Sequence, residues 1–250
     1  MDPLRLSILG AAAFATSTLS GMLGLAGGMT LLSILLLFYD PLVAIPLHGV
    51  IQLVSNASRS FIQRRHVERG IVGWYALPLV PMGFAGLAIA KQLPPSLARA
   101  LIGLFVLAAT WAPGLLLLGA HPEKLQRNRR FFVLGSAVGL LNTTIGATGP
   151  LTAPFFLNLG LGRQQVIGTM AACQALGHLA KLLVFGAAGF AFVAFAPLLA
   201  LLSVFVVLGS WVGSRLLDQV SERGFTWIYK AVLTVIALHL VVSELRPLLG

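Results

Sequence analysis

The chain has 250 residues, of which 58% are hydrophobic and only 10% charged, and its mean hydropathy is +0.93. Soluble domains carry about 25% charged residues, so this composition excludes a water-soluble globule and points to a bilayer. The net charge of +10 comes from 17 Lys+Arg against 7 Asp+Glu. Seven of those seventeen basic residues sit in two short loops between apolar runs, "QRRHVERG" (Gln63 to Gly70) and "HPEKLQRNRR" (His121 to Arg130). That is the positive-inside pattern, which explains the basicity without a nucleic-acid partner and assigns both loops to the cytoplasm.

Taken in order, the apolar stretches are Leu4–Gly24, Thr30–Tyr39, Leu42–Gln63, Val72–Ala90 and Ser96–Gly119, followed by the second basic loop. Beyond it lie Phe131–Gly146, Leu151–Leu159, Gln164–Gly186, Phe190–Ser214 and Phe225–Val242. The runs lack the roughly ten-residue alternation of a membrane β-barrel, so the fold class is an all-α polytopic membrane protein. The run from Leu4 is longer than a signal-peptide core and continues into a further apolar segment, so it reads as a span. Thr30–Tyr39 and Leu151–Leu159 are too short to cross. At about 1.5 Å per residue they reach about 15 Å, half of a core of about 30 Å.

The order long, short, long, long, long therefore occurs twice. The residues repeat with it. "GLAGGM" (Gly24 to Met29) opens the first short segment and "IGATGP" (Ile145 to Pro150) the second. "QLVSNASR" (Gln52 to Arg59) lies 122 positions before "QALGHLAK" (Gln174 to Lys181), pairing Gln52 with Gln174, Asn56 with His178 and Arg59 with Lys181. This describes two transmembrane repeats, 1–125 and 126–250, in one membrane domain, with a halfway point near Arg130. The loop after the third segment is basic in the first half and uncharged in the second. The loop after the fourth holds Lys91 alone in the first half but Arg215 and Arg223 in the second. This swap favours inverted over parallel halves, each with three long spans and a broken long/short pair.

Glycine tolerates any backbone region and close approach, and irregular backbone at membrane depth is tolerated where it is buried or faces a cavity. A short helix beginning near Gly27 and Gly28, or near Thr148, Gly149 and Pro150, would turn its free N–H groups toward the break and favour an anion. Close helix packing is the competing role for these glycines. Offsets of 0, 4 and 7 fall on one helical face, so Gln52, Asn56 and Arg59 form one stripe, and Gln174, His178 and Lys181 another. Polar residues in spans face the bundle interior or a cavity, and these supply hydrogen-bond donors and positive charge suited to an oxyanion. Arg59 beside the basic loop, and Lys181 five residues before Gly186, have snorkelling to the surface as the alternative.

Carboxylates are almost absent from the long spans: Asp40, Glu68, Asp218, Glu222 and Glu244 lie at ends or in loops. Carriers of cations commonly use an intramembrane Asp or Glu, so this pattern favours an anionic substrate. If protons are coupled, His178 or His48 is the titrating group, although His48 and His239 read first as packed and hydrogen-bonded. H-E-x-x-H, G-x-S-x-G and P-loop motifs are missing, and the histidines show no metal-ligand spacing with Cys173 or the acids. The sequence thus calls for no enzyme activity, metal or cofactor. Cys173 alone permits no internal disulfide and reads as a small packing residue. Trp74, Tyr75, Trp211, Trp227 and Tyr229 read as interfacial anchors, and Pro78, Pro81 and Pro197 as kinks.

With these features in place, the chain resembles the sulfite exporter TauE/SafE family, within the toluene-sulfonate uptake permease superfamily. The resemblance rests on "GMLGLAGG", "IGATGPLTAPFF" with "VIGTM" after it, the basic loop running into "RGIVGW", and the later "GFAGLAIA" and "GSWVGSRL". It spans nearly the whole chain and implies export or import of sulfite, sulfonates or related sulfur-containing anions across the bacterial inner membrane. The first repeat has Ser33 where the second has Pro154, and Ala147 and Thr148 interrupt the second glycine cluster; these departures bear on the substrate, not the fold. The expected function is a multi-pass secondary transporter of a small oxyanion, working by alternating access in contact with membrane lipid. Proton or ion coupling and a homo-oligomer stay open. An anion channel, or a membrane-complex subunit without transport activity, is the alternative.

Overall fold

A computed structural model describes residues 3–23, 27–216 and 222–249. Gly24 to Ala26 of the first glycine-rich stretch, and Asp218, lie outside them. The described residues form helices α1 (Pro3–Leu23), α2 (Gly27–Leu35), α3 (Pro41–Ile62), α4 (Arg69–Ala76), α5 (Leu79–Gln92) and α6 (Pro95–Trp111). They continue as α7 (Arg127–Thr144), α8 (Gly149–Thr152), α9 (Arg163–Ala187), α10 (Ala196–Leu216) and α11 (Glu222–Leu249), with no strand among them. Three stretches, Arg69–Gln92, Arg163–Ala187 and Phe192–Gly213, are long and apolar enough to cross a membrane among the described residues. The outer surface carries exposed Leu104, Val204, Leu208 and Val235, as a lipid-facing bundle requires.

Proline accounts for most departures from the expected boundaries. Val72–Ala90 is two helices, because Leu77 and Pro78 separate α4 from α5. Proline lacks the N–H that would continue the first helix. Pro81 and Pro197 fall in the first turns of α5 and α10, where no hydrogen bond is lost, so they do not kink the chain. The second short segment is one α turn followed by a 3-10 turn, Ala153–Phe156, rather than a half-length α-helix.

Helix pairs meet through small residues. Along α1 and α10, Gly10 meets Phe205, Phe14 meets Gly209 and Thr18 meets Gly213, so these helices run parallel. Ser17 Oγ donates to the Val206 carbonyl at 2.6 Å across the same seam. Along α4, α5 and α7, Tyr75 meets Gly135, Leu79 meets Gly139 and Gly83 meets Thr143, again parallel. By contrast α3 and α9 are antiparallel, with Gly49 against Lys181 and Leu182, and Gln63 against Gly168. So are α6 and α11, with Gly103 against Ala237 and Val241 and Arg99 bridging Glu244 at 3.1 Å. Without a hydrophobic drive between helices in lipid, such close seams carry the packing.

A Cβ on Gly86 would overlap the Leu140 carbonyl and the Thr143 hydroxyl, whereas one on Gly73 meets nothing within 4 Å. Overpacking a rigid seam costs about 1–3 kcal/mol. Gly86→Val is therefore expected to lower the melting temperature of detergent-purified protein by several degrees, and Gly73→Ala to leave it in place.

The two ends of the bundle differ in charge. One end gathers Asp40, Arg99 and Glu244, with Arg99 2.6 Å from Asp40. The other holds both basic loops together, through Arg127 to Glu68 at 2.8 Å and Gln165 to Glu68 at 2.9 Å.

Candidate functional site

Gly28 stands in the first turn of α2 and faces α3. A Cβ there would come within 3.2 Å of the Gln52 side chain, so the missing side chain is what lets Gln52 lie against the break. His48, one turn earlier on α3, places Nε2 2.8 Å from the Gly28 carbonyl. A carbonyl only accepts, so Nε2 carries the proton and Nδ1 of the neutral ring is an acceptor. Further along α3, Asn56 Nδ2 donates to the Gln52 carbonyl at 2.9 Å, and Arg59 donates to Asn56 Oδ1. The predicted stripe is thus a hydrogen-bonded row.

The second break is built differently. Gly146 has φ +94, and a Cβ would strike Leu32 and Ile45 at 2.8 and 2.9 Å; only glycine fits this turn against α2 and α3. Its carbonyl accepts from Lys181 Nζ at 2.7 Å. Lys181 is 1% exposed, so it does not snorkel. Its stem crosses Gly49, where a Cβ would lie 2.9 Å from the lysine Cδ. Arg130, at the start of α7, donates to the Pro154 and Leu157 carbonyls at 3.1 and 2.7 Å and holds the far end of the segment.

Between the breaks lies a small cavity of about 30 Å3. It is lined by Gly28, Met29, His48, Gln52, Arg59, Tyr75, Val138, Asn142, Ala147, Thr148, Gly149, Gln174 and His178. Of the expected site residues, Gly28, Gln52, Arg59, Thr148, Gly149, Gln174 and His178 reach it. Gly27, Asn56, Pro150 and Lys181 do not. Gly27 is covered, Asn56 holds its neighbours Gln52 and Arg59, Pro150 sits in the first turn of α8, and Lys181 braces Gly146.

Tyr75 is no interfacial anchor: it is fully buried and lines the cavity, since the break at Pro78 turns α4 inward against α7. Trp74, Trp211 and Trp227 are exposed. His239 is exposed rather than packed, because it points away from the α6 seam. Asn142 was not singled out from sequence; its signal was an amide on α7 just ahead of the glycine break. Asn142 Nδ2 donates to the Gly177 carbonyl at 3.0 Å.

Among the described residues, the buried cavity atoms His48 Nδ1, His178 Nδ1 and Asn142 Oδ1 find no hydrogen-bond partner. Buried polar groups are normally satisfied, so their convergence marks a site for a polar guest. Amide, imidazole and guanidinium groups line it. No carboxylate does, and no group of three His, Cys, Asp or Glu among the described residues could hold a metal.

These features define a helical membrane protein whose discontinuous helices close on a buried polar cavity. The chain belongs to the sulfite exporter TauE/SafE family, whose model matches residues 9–240. It is also similar to the probable membrane transporter protein YtnM of Bacillus subtilis (strain 168), at 31% identity over 163 residues. That match covers 61% of this chain and 54% of the relative, so it spans about half the length of that protein. No solved structure matches.

Proposed function

We propose that the protein is a secondary transporter carrying a small sulfur oxyanion, sulfite, a sulfonate or a relative, across the bacterial inner membrane. The observation that carries this reading is the cavity at the paired breaks, with its guanidinium, its polar atoms that find no partner among the described residues, and no acid among its described lining residues. Gln52, Arg59, Gln174 and His178 contact the anion from α3 and α9, and Gly28, Thr148 and Gly149 offer backbone from the breaks.

Alternating access arises from two inverted repeats, 1–125 and 126–250, rocking about this site. Reciprocal packing supports the repeats: α1 of the first half lies on α10 as α7 of the second lies on α5, while α3 meets α9 and α6 meets α11. Opposed directions support the inversion, since α3 and α9, and α6 and α11, run antiparallel. In each half an arginine near the start of the first span holds the end of the short segment. Arg5 lies over the Phe38 and Tyr39 rings, and Arg130 caps Pro154 and Leu157. The end bearing both basic loops faces the cytoplasm.

Counterflow in proteoliposomes tests the reading. Labelled sulfite or methanesulfonate is expected to accumulate against the unlabelled anion, and Gln174→Leu to cut that flux about tenfold at unchanged membrane expression. Flux without trans-stimulation would make the protein a channel. Unchanged flux in Gln174→Leu would remove this residue from the site.

A further inference from the structure

His48 and His178 reach the cavity from opposite helices, α3 and α9, with their rings edge to face at 5.6 Å between centroids. Each is buried, at 1% and 8% exposure, and each leaves Nδ1 without a hydrogen-bond partner among the described residues. Because His48 Nε2 is committed as a donor to Gly28, its Nδ1 is the lone-pair position that accepts a proton. Packing alone does not ask for two such atoms beside one polar cavity.

The charges around the pair decide when a proton can be held. Lys181 from α9 acts electrostatically on both histidines, and Arg59 from α3 on His178. Tyr75 from α4 lines the same cavity, backed by Cys173. The breaks and α7 contribute backbone and neutral side chains only. A proton on either ring therefore adds positive charge beside these basic groups and needs an offset. An oxyanion in the cavity supplies that offset. Two protons on rings this close would repel each other, so the pair titrates as a unit and takes one.

We propose that the His48–His178 pair is a proton-binding site loaded together with the anion, so that the cavity takes up one proton with each oxyanion, a neutral pair when the anion is a monoanion such as methanesulfonate. This rests on the anion-transport reading above. Binding of the two is reciprocal: the anion raises the affinity for the proton, and the proton that for the anion, by the same factor. The proton enters at a histidine Nδ1 when the anion arrives and leaves from that atom when the anion departs.

The experiment is calorimetry of the purified protein with methanesulfonate and with thiosulfate, anions that do not themselves titrate near neutral pH. Each titration is run in two buffers of different ionisation enthalpy, which counts protons taken up on binding. Wild type is expected to take up about one proton per anion at neutral pH, and its affinity to rise about tenfold per unit fall in pH on the alkaline side of the pair. His48→Asn/His178→Asn is expected to bind with no proton uptake and a flat pH profile, judged against its own affinity at the highest pH. In wild-type proteoliposomes carrying an internal pH dye, an inward methanesulfonate gradient is expected to acidify the lumen. Anion binding without proton uptake in wild type overturns the proposal, as does full proton uptake in the double variant. If neither anion binds wild type at all, the anion-site reading itself fails, and the proposal with it.

Discussion

Lys181→Met is expected to lower the melting temperature by several degrees and to abolish anion-dependent stabilisation. Lys181→Gln is expected to keep most of the melting temperature and lose most of the anion response. Lys181 does two separable things. Its Nζ satisfies the Gly146 carbonyl at 2.7 Å, a group that no helix ladder serves because Gly146 is left-handed at φ +94. An unsatisfied buried carbonyl costs about 1–3 kcal/mol, and methionine inflicts that cost. Glutamine keeps a donor at similar reach and spares it. The second contribution is electrostatic. Lys181 acts on His48 and His178, which line the cavity, and both substitutions remove its amine. Thermal melts with and without sulfite separate the two. Equal melting losses in both variants would mean that charge, not the hydrogen bond, holds the break; a normal sulfite shift in Lys181→Gln would remove the lysine from anion binding.

A buried lysine was hard to foresee from its position. Lys181 stands one and a half turns before the end of α9, and on an isolated helix it reaches the interface. What denies it that route is Gly49 on the facing helix, whose missing side chain opens a slot for the lysine stem, and a carbonyl 35 positions upstream that needs a donor. Neither is a property of the segment around Lys181. Tyr75 reads as an anchor for the same reason. It lies near the end of an apolar run, and only the break at Pro78 with the α7 seam through Gly135 and Gly139 shows that it faces inward.

The parts legible in sequence were those with a period along one helix or a one-sided pattern of charge. Gln52 and Gln174 fall on inward faces because their polar neighbours recur at offsets of 4 and 7, and both line the cavity. The glycine breaks were visible as paired interruptions ahead of half-length apolar runs, and the two basic loops as one-sided charge. The structure brings those loops to the same end through Glu68 and Arg127. Asn142 escaped because its amide has no counterpart stripe, and its partner, the Gly177 carbonyl, is a backbone group on another helix. Pairwise contacts between helices, rather than patterns along one helix, are what sequence alone left unread.

The second large effect belongs to Arg59. Arg59→Gln is expected to weaken anion binding about a hundredfold with little change in melting temperature. Its guanidinium lines the cavity and is oriented by Asn56 Oδ1, while Asn56 is itself fastened to the Gln52 carbonyl at 2.9 Å. A planar fork held in place before the ligand arrives loses little entropy on binding an oxyanion. The same side chain borders a groove between α3 and α10, formed with Ser55, Ser58, Ile62, Val207, Ser210 and Trp211, and so stands between the cavity and the basic end of the bundle. Lysine at this position keeps the charge but not the fork, so Arg59→Lys is expected to recover only part of the loss. Asn56→Ala, which removes that hydrogen bond without discharging the guanidinium, is expected to fall between wild type and Arg59→Gln. Calorimetric titration of the three variants with sulfite ranks them. If Arg59→Lys binds as wild type does, the arginine acts as a charge alone and the Asn56 row has no part in orienting it. If Asn56→Ala is as weak as Arg59→Gln, orientation rather than charge carries the affinity.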